Sequence, residues 1–117
     1  MNYSYSGCIL KLGGKRIRLF SPIKEVLEAD GVLLILLKRI GVKLDYRESV
    51  NRNIYAYDSI GQKLWEIQES PSGGSKDKPY TAVYLEAGKV VAYNGLGFEY
   101  KLNLIDGSVE PLGGRPW

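Results

Sequence analysis

Apolar and polar positions along the chain alternate in short runs, and each pair of runs is separated by glycine, aspartate or asparagine. This pattern predicts β-hairpins rather than helices. The first hairpin covers 8–12 and 16–20 around Gly13-Gly14-Lys15, and the second covers 23–28 and 32–38 around Ala29-Asp30-Gly31. The third pairs 54–58 with 63–68, the fourth 80–86 with 89–93 at Ala87-Gly88, and the fifth 98–104 with 108–112 at Ile105-Asp106-Gly107. Asp-Gly and Gly-Gly between apolar runs supply the positive φ angles that tight hairpin turns require. Val32–Leu37 departs from the alternation: Val-Leu-Leu-Ile-Leu-Leu is apolar on both sides, which predicts a strand covered on both faces. Residues 22–30 have a second reading. Ser21 followed by Pro22 fits a helix start. The strand reading is preferred because the corresponding stretch 80–86 (Tyr-Thr-Ala-Val-Tyr-Leu-Glu) is rich in strand-forming residues.

The hairpins repeat. Residues 27–33 (Leu-Glu-Ala-Asp-Gly-Val-Leu) parallel 85–91 (Leu-Glu-Ala-Gly-Lys-Val-Val), and Gly14-Lys15-Arg16-Ile17 parallels Gly61-Gln62-Lys63-Leu64 and, more loosely, Gly107-Ser108-Val109. The repeat predicts half a unit followed by two full four-strand units. The stretch 54–65 (Ile-Tyr-Ala-Tyr-Asp-Ser-Ile-Gly-Gln-Lys-Leu-Trp) resembles the outer hairpin of pyrroloquinoline-quinone-type β-propeller repeats. In that pattern Asp58 caps the turn, Gly61 takes positive φ and Trp65 wedges against the next sheet. The resemblance implies structural repeats and carries neither the cofactor nor the dehydrogenase activity, because about two blades cannot close the ring those enzymes use. The expected fold is therefore all-β: one domain spanning 1–117, an antiparallel meander of about ten strands. These form two propeller-like blades plus a half blade, or the same sheets packed as a sandwich. A propeller covers its blade faces by closing a ring; a two-blade chain that does not fold into a sandwich is expected to associate with copies of itself.

Charge changes the picture little. The net charge is +3, and residues 1–52 carry ten Lys/Arg against five Asp/Glu while the remainder carries six against eight. The cations are spread along strands, where they also discourage edge pairing. The N-terminal residues have no basic and apolar stretches of a signal peptide, and the longest apolar run is too short for a bilayer. A cytoplasmic location without membrane contact is the expectation.

Candidate chemistry is narrowed by what the composition lacks. There is no histidine and a single cysteine, Cys8, which is read as a small hydrophobe. No transition-metal site, disulfide, phosphate loop or calcium loop is predicted, and no cofactor. The nearest carboxylate pair, Asp45 and Glu48, sits beside Arg47 and Arg52 and is read as a solvated ion-pair network. A carboxylate-dependent hydrolase built on that pair is the third choice. If each strand pairs with its sequence neighbour, all tight turns gather at one end, and the variable connections 21–22, 39–53, 69–79 and 94–97 gather at the other, where binding is expected. The candidate binding residues are Asp45, Tyr46, Arg47, Glu48, Arg52, Lys76 and Lys78. The first expectation is a non-enzymatic interaction module, self-associating as a homo-oligomer and binding a protein partner through this end. A binder of polyanions, nucleic acid among them, or of carbohydrate is the alternative. The C-terminal Arg115-Pro116-Trp117 is expected to dock on a neighbouring chain or close its own sheet.

Overall fold

The computed structural model describes residues 1–72, 74 and 77–114. Lys76 and residues 115–117 lie outside the described residues. Eleven strands follow in order: β1 (Tyr3–Ser6), β2 (Ile9–Leu12), β3 (Lys15–Arg18), β4 (Ile23–Ala29), β5 (Val32–Leu37), β6 (Ile54–Tyr57), β7 (Lys63–Glu66), β8 (Tyr80–Glu86), β9 (Lys89–Asn94), β10 (Phe98–Leu102) and β11 (Val109–Gly114). They form three antiparallel meanders: β1-β2-β3, then β4-β5-β6-β7, then β8-β9-β10-β11. Every strand thus pairs with its sequence neighbour, as hairpin-sized connections favour. Residues 23–29 are a strand, and the all-β expectation holds.

Two details differ from the sequence reading. The first unit has three strands, because Tyr3–Ser6 pairs with β2 in the register Tyr3↔Leu12, Ser4↔Lys11, Tyr5↔Leu10 and Ser6↔Ile9. The repeat is also offset by one residue. Asp30 and Gly31 take φ of 48° and 77°, and Ala87 and Gly88 take 50° and 78°, so Asp30 corresponds to Ala87. Turn geometry aligns these units where residue identity misplaces them: two successive positive φ angles define the turn, whichever residues supply them.

The three sheets stack with the second in the middle. In β5, Leu33, Ile35 and Leu37 join Leu10, Leu12, Leu19, Tyr55 and Tyr57 in one cluster against the first sheet. Leu34 and Leu36 join Ile54, Ala56, Val83, Ala92 and Tyr100 in another against the third. All five of these β5 residues are completely buried, each contributing roughly 1.5–3 kcal/mol of transfer free energy. The unbroken apolar run is thus explained by the two layers that cover it.

The turn preceding β7 works as its residues suggest. Asp58 Oδ1 accepts from Ile60 N at 3.1 Å and Gln62 N at 2.9 Å, and Gly61 takes φ of 85°. Trp65 packs on the cluster between the second and third sheets and donates its indole N–H to Leu104 O at 3.0 Å. Gly107 lies so close to that indole ring that a Cβ there would run into it.

Candidate interaction surfaces

The strand directions place the connections 19–22, 38–53, 67–79 and 95–97 at one end of the stack. Residues 38–53 contain turns but no strand, so the alternation of ends is preserved. The turns are closed by Glu48 N to Asp45 O at 3.0 Å and Arg52 N to Ser49 O at 3.3 Å.

Inside this end, Arg39 and Glu48 form a buried ion pair at 3.1 Å, with side chains only 1% and 2% exposed. Ser21 Oγ donates to Glu48 Oε1 at 3.0 Å and accepts from Arg39 at 2.8 Å. Tyr55 donates to Glu48 Oε2 at 3.4 Å. Burial, followed by the charge of Glu66, pushes the Tyr55 hydroxyl up to about 12, so it stays a donor. The Glu48 carboxylate accepts from two side chains and is ion-paired to a third. This arrangement fastens the 19–22 connection and β6 to the long 38–53 segment. Among the described residues Arg39 Nε, which is buried, has no hydrogen-bond partner.

On the surface, Arg47 holds Asp45 at 2.9 Å and lies over the rings of Phe20, 4.1 Å from its centroid, and Tyr46, 5.5 Å away. Tyr46 is 92% exposed. The side-chain and backbone hydrogen bonds from Arg47 hold the Asp45 carboxyl at about 2 rather than 3.8. A carboxyl depressed in the fold contributes stability above its unfolded value and loses it as pH falls through the folded one. The expected result is a carboxyl NMR titration of Asp45 with its midpoint near 2, returning towards the ordinary carboxylate value in Arg47→Ala.

The other candidates are dispersed. Arg52 donates to Ile67 O at 3.0 Å and Glu66 O at 3.3 Å. The Lys78 ammonium, 7% exposed, donates to Gly74 O at 2.6 Å and stands 3.8 Å from Glu69. These two cations hold the backbone of 66–74. Asp45 and Glu48 are held by different partners and share no proton-transfer geometry, and the expected solvated network applies to Asp45 alone. Beside them lies a shallow groove of about 350 Å³ lined by Ile40, Val50, Pro79 and Leu96 among others, with Ile40 69% and Leu96 43% exposed.

The stack has two further surfaces. On the outer face of the first sheet, the register sets Ser4, Ser6, Ile9, Lys11, Arg16 and Arg18 opposite the buried Leu10-Leu12 face. Its three cations have no carboxylate on the same face. On the outer face of the third sheet, Tyr84, Val91, Lys101 and Glu110 form one row, Ala82, Tyr93 and Glu99 another, and Glu86 with Lys89 a third. Tyr84 donates to Glu99 at 3.1 Å, and Val91 beneath them is 1% exposed.

Residues 1–113 match the family described as Domain of unknown function, DUF7957. The chain belongs to that family. No curated protein matches it. A crystal structure of the computationally designed protein Ika8 is similar, with a TM-score of 0.55 and 13% identity over 97% of this chain. This DUF7957 chain spans about a third (36%) of the length of that designed protein, and at this identity the likeness concerns the fold alone.

Within the DUF7957 domain, the sequence reading overlooked Ser21, Arg39, Asn53 and Tyr55. Asn53, completely buried, donates to Leu37 O at 3.0 Å and Tyr80 O at 2.8 Å and accepts from Tyr80 N at 2.9 Å. It stitches the second sheet to the third. An asparagine directly before a buried apolar strand was the available signal. Among the described residues no group of three or more His, Cys, Asp or Glu is placed to hold a metal. No helix among the described residues is long and apolar enough to cross a membrane.

Proposed function

We propose that this DUF7957 chain is a non-enzymatic interaction module that associates with copies of itself, head to tail. The outer face of its first sheet lies on the outer face of the third sheet of a neighbour. The observation that carries this reading is the difference between the two faces. One presents Lys11, Arg16 and Arg18 without an acid, and the other carries three acids, Glu86, Glu99 and Glu110, against two cations, Lys89 and Lys101, around Tyr84 and Tyr93. Complementary charge favours this pairing over face-to-identical-face contacts. The repeated turn geometry supports reading the three meanders as propeller-like blades, and each added copy then continues the same layering. A head-to-tail contact of this kind builds a ring when its rotation closes.

Light scattering on a dilution series at several salt concentrations tests it. The expected result is a multimer that dissociates on dilution and with added salt. Arg16→Glu with Arg18→Glu weakens association roughly tenfold or more. So does Glu86→Lys with Glu110→Lys. Mixing the two variants restores association, because each reversed face meets its complement. A strict monomer at every concentration and salt overturns the reading, and leaves the loop end, with Ile40 and Leu96 exposed, as the binding surface.

A further inference from the structure

The second and third sheets have four strands and the first has three. The turns show which strand the first sheet lacks. The β2–β3 turn sits against the β6–β7 turn, so close that a Cβ on Gly13 would lie 2.5 Å from Ser59 O and 3.0 Å from Ile60 Cα. Thus β2 and β3 correspond to β6 and β7, and β1 corresponds to β5. Among the described residues nothing in the first sheet corresponds to β4, or to β8 in the third. The vacant position lies along the free edge of β1. Its two ends are marked by Ile23 N donating to Gly7 O at 2.8 Å and by the Met1 amine 3.6 Å from Glu28.

Among the described residues that edge is open and unguarded. All four residues of β1 are exposed. Tyr3 and Tyr5, on the inward side by register, are 36% and 45% exposed. Among the described residues, β1 makes backbone hydrogen bonds to β2 alone. The opposite edge, β3, carries Lys15, Arg16 and Arg18, as protected edges do, whereas β1 has no charge, proline or bulge to discourage pairing.

We infer that the β1 edge accepts an extended segment of another polypeptide, added antiparallel in the place that β4 and β8 hold in their own sheets. The chemistry of that segment is read from those two strands. Both begin with a large apolar residue, Ile23 or Tyr80, have a bulge directly after it, and place valine at the fourth position, Val26 or Val83. In the second position Lys24 reaches across to Thr81 O at 2.7 Å, so a lysine there in the incoming strand finds the backbone of β4 in the same way. Glu28, paired opposite Leu33 on the β4 face turned towards the first sheet, favours a second cation near the far end. Main-chain hydrogen bonds supply affinity in this mode, and the alternating side chains supply selection.

The probe is a fluorescent heptapeptide, Ile-Lys-Thr-Val-Leu-Lys-Ala, with a shuffled control. Saturable binding is expected, with roughly tenfold slower hydrogen exchange of the residue 3–6 amides when the peptide is present. Tyr3→Lys with Tyr5→Lys weakens binding roughly tenfold. Should that variant fail to fold, exchange on the unmodified chain decides. Arg16→Glu with Arg18→Glu leaves peptide binding unchanged, which separates this inference from the head-to-tail reading. Three results overturn it: no binding up to about 1 mM, equal binding of the shuffled peptide, or β1 amides already protected in the free protein by pairing with a second copy.

Discussion

Replacing Glu48 with alanine is expected to lower stability by about 3–5 kcal/mol, the usual result of removing one partner of a buried ion pair. Arg39 is left 1% exposed with its charge uncompensated. Ser21 and Tyr55 each lose an acceptor. For a domain of this length the change corresponds to a melting temperature lower by about 10–20 °C. Thermal and urea denaturation both measure it. The double substitution Arg39→Met with Glu48→Leu recovers only part of the loss: it removes the uncompensated charge but leaves the buried Ser21 and Tyr55 hydroxyls without these partners. Thermal denaturation of Glu48→Gln tests the hydrolase alternative, in which that variant loses turnover with melting nearly unchanged, whereas the buried pair predicts a lowered melting temperature.

Asn53→Ala gives the second large effect. The side chain bridges Leu37 O in the second sheet and both backbone groups of Tyr80 in the third. Its removal takes the acceptor from Tyr80 N and a donor from each of the Leu37 and Tyr80 carbonyls, each costing about 1–3 kcal/mol where the group is left unsatisfied, for an expected total of about 3–5 kcal/mol by urea denaturation. Asn53→Asp does not rescue it. An ionised carboxylate accepts from Tyr80 N but cannot donate to the two carbonyls. Asn53→Gln fails for a different reason, because the longer side chain has no space at a site that is completely buried.

The strands were legible because their signals are local. Apolar alternation, Asp-Gly and Gly-Gly turns and the unbroken run Val32–Leu37 each depend on a few adjacent residues, and the layered packing follows from that run. What was missed depends on distance in space. Tyr3–Ser6 lacks a strong apolar pattern, and as an edge strand it needs little beyond its pairing with β2. Arg39 and Glu48 are nine positions apart in a loop, and nothing in their identity separates a buried pair from two solvated charges. Lys78 and Arg52 stand among the candidate binding residues of the sequence because a sequence does not show which backbone carbonyls fold back to meet them. Tyr46 and Arg47 were placed correctly on the surface, since they lie at the tip of the longest connection.

The middle position of the second sheet has a consequence for how the molecule comes apart. Both apolar clusters include β5 and β6 residues, and neither joins the first sheet to the third. The outer sheets therefore share no common core and communicate only through the central layer. Peeling away the first sheet uncovers Leu33, Ile35 and Leu37 but leaves the second cluster intact. Losing the central layer dissolves both at once. The amides of β5 and β6 accordingly exchange only when the whole chain opens, while β1, β2 and β3 open as a separate, weaker cooperative unit.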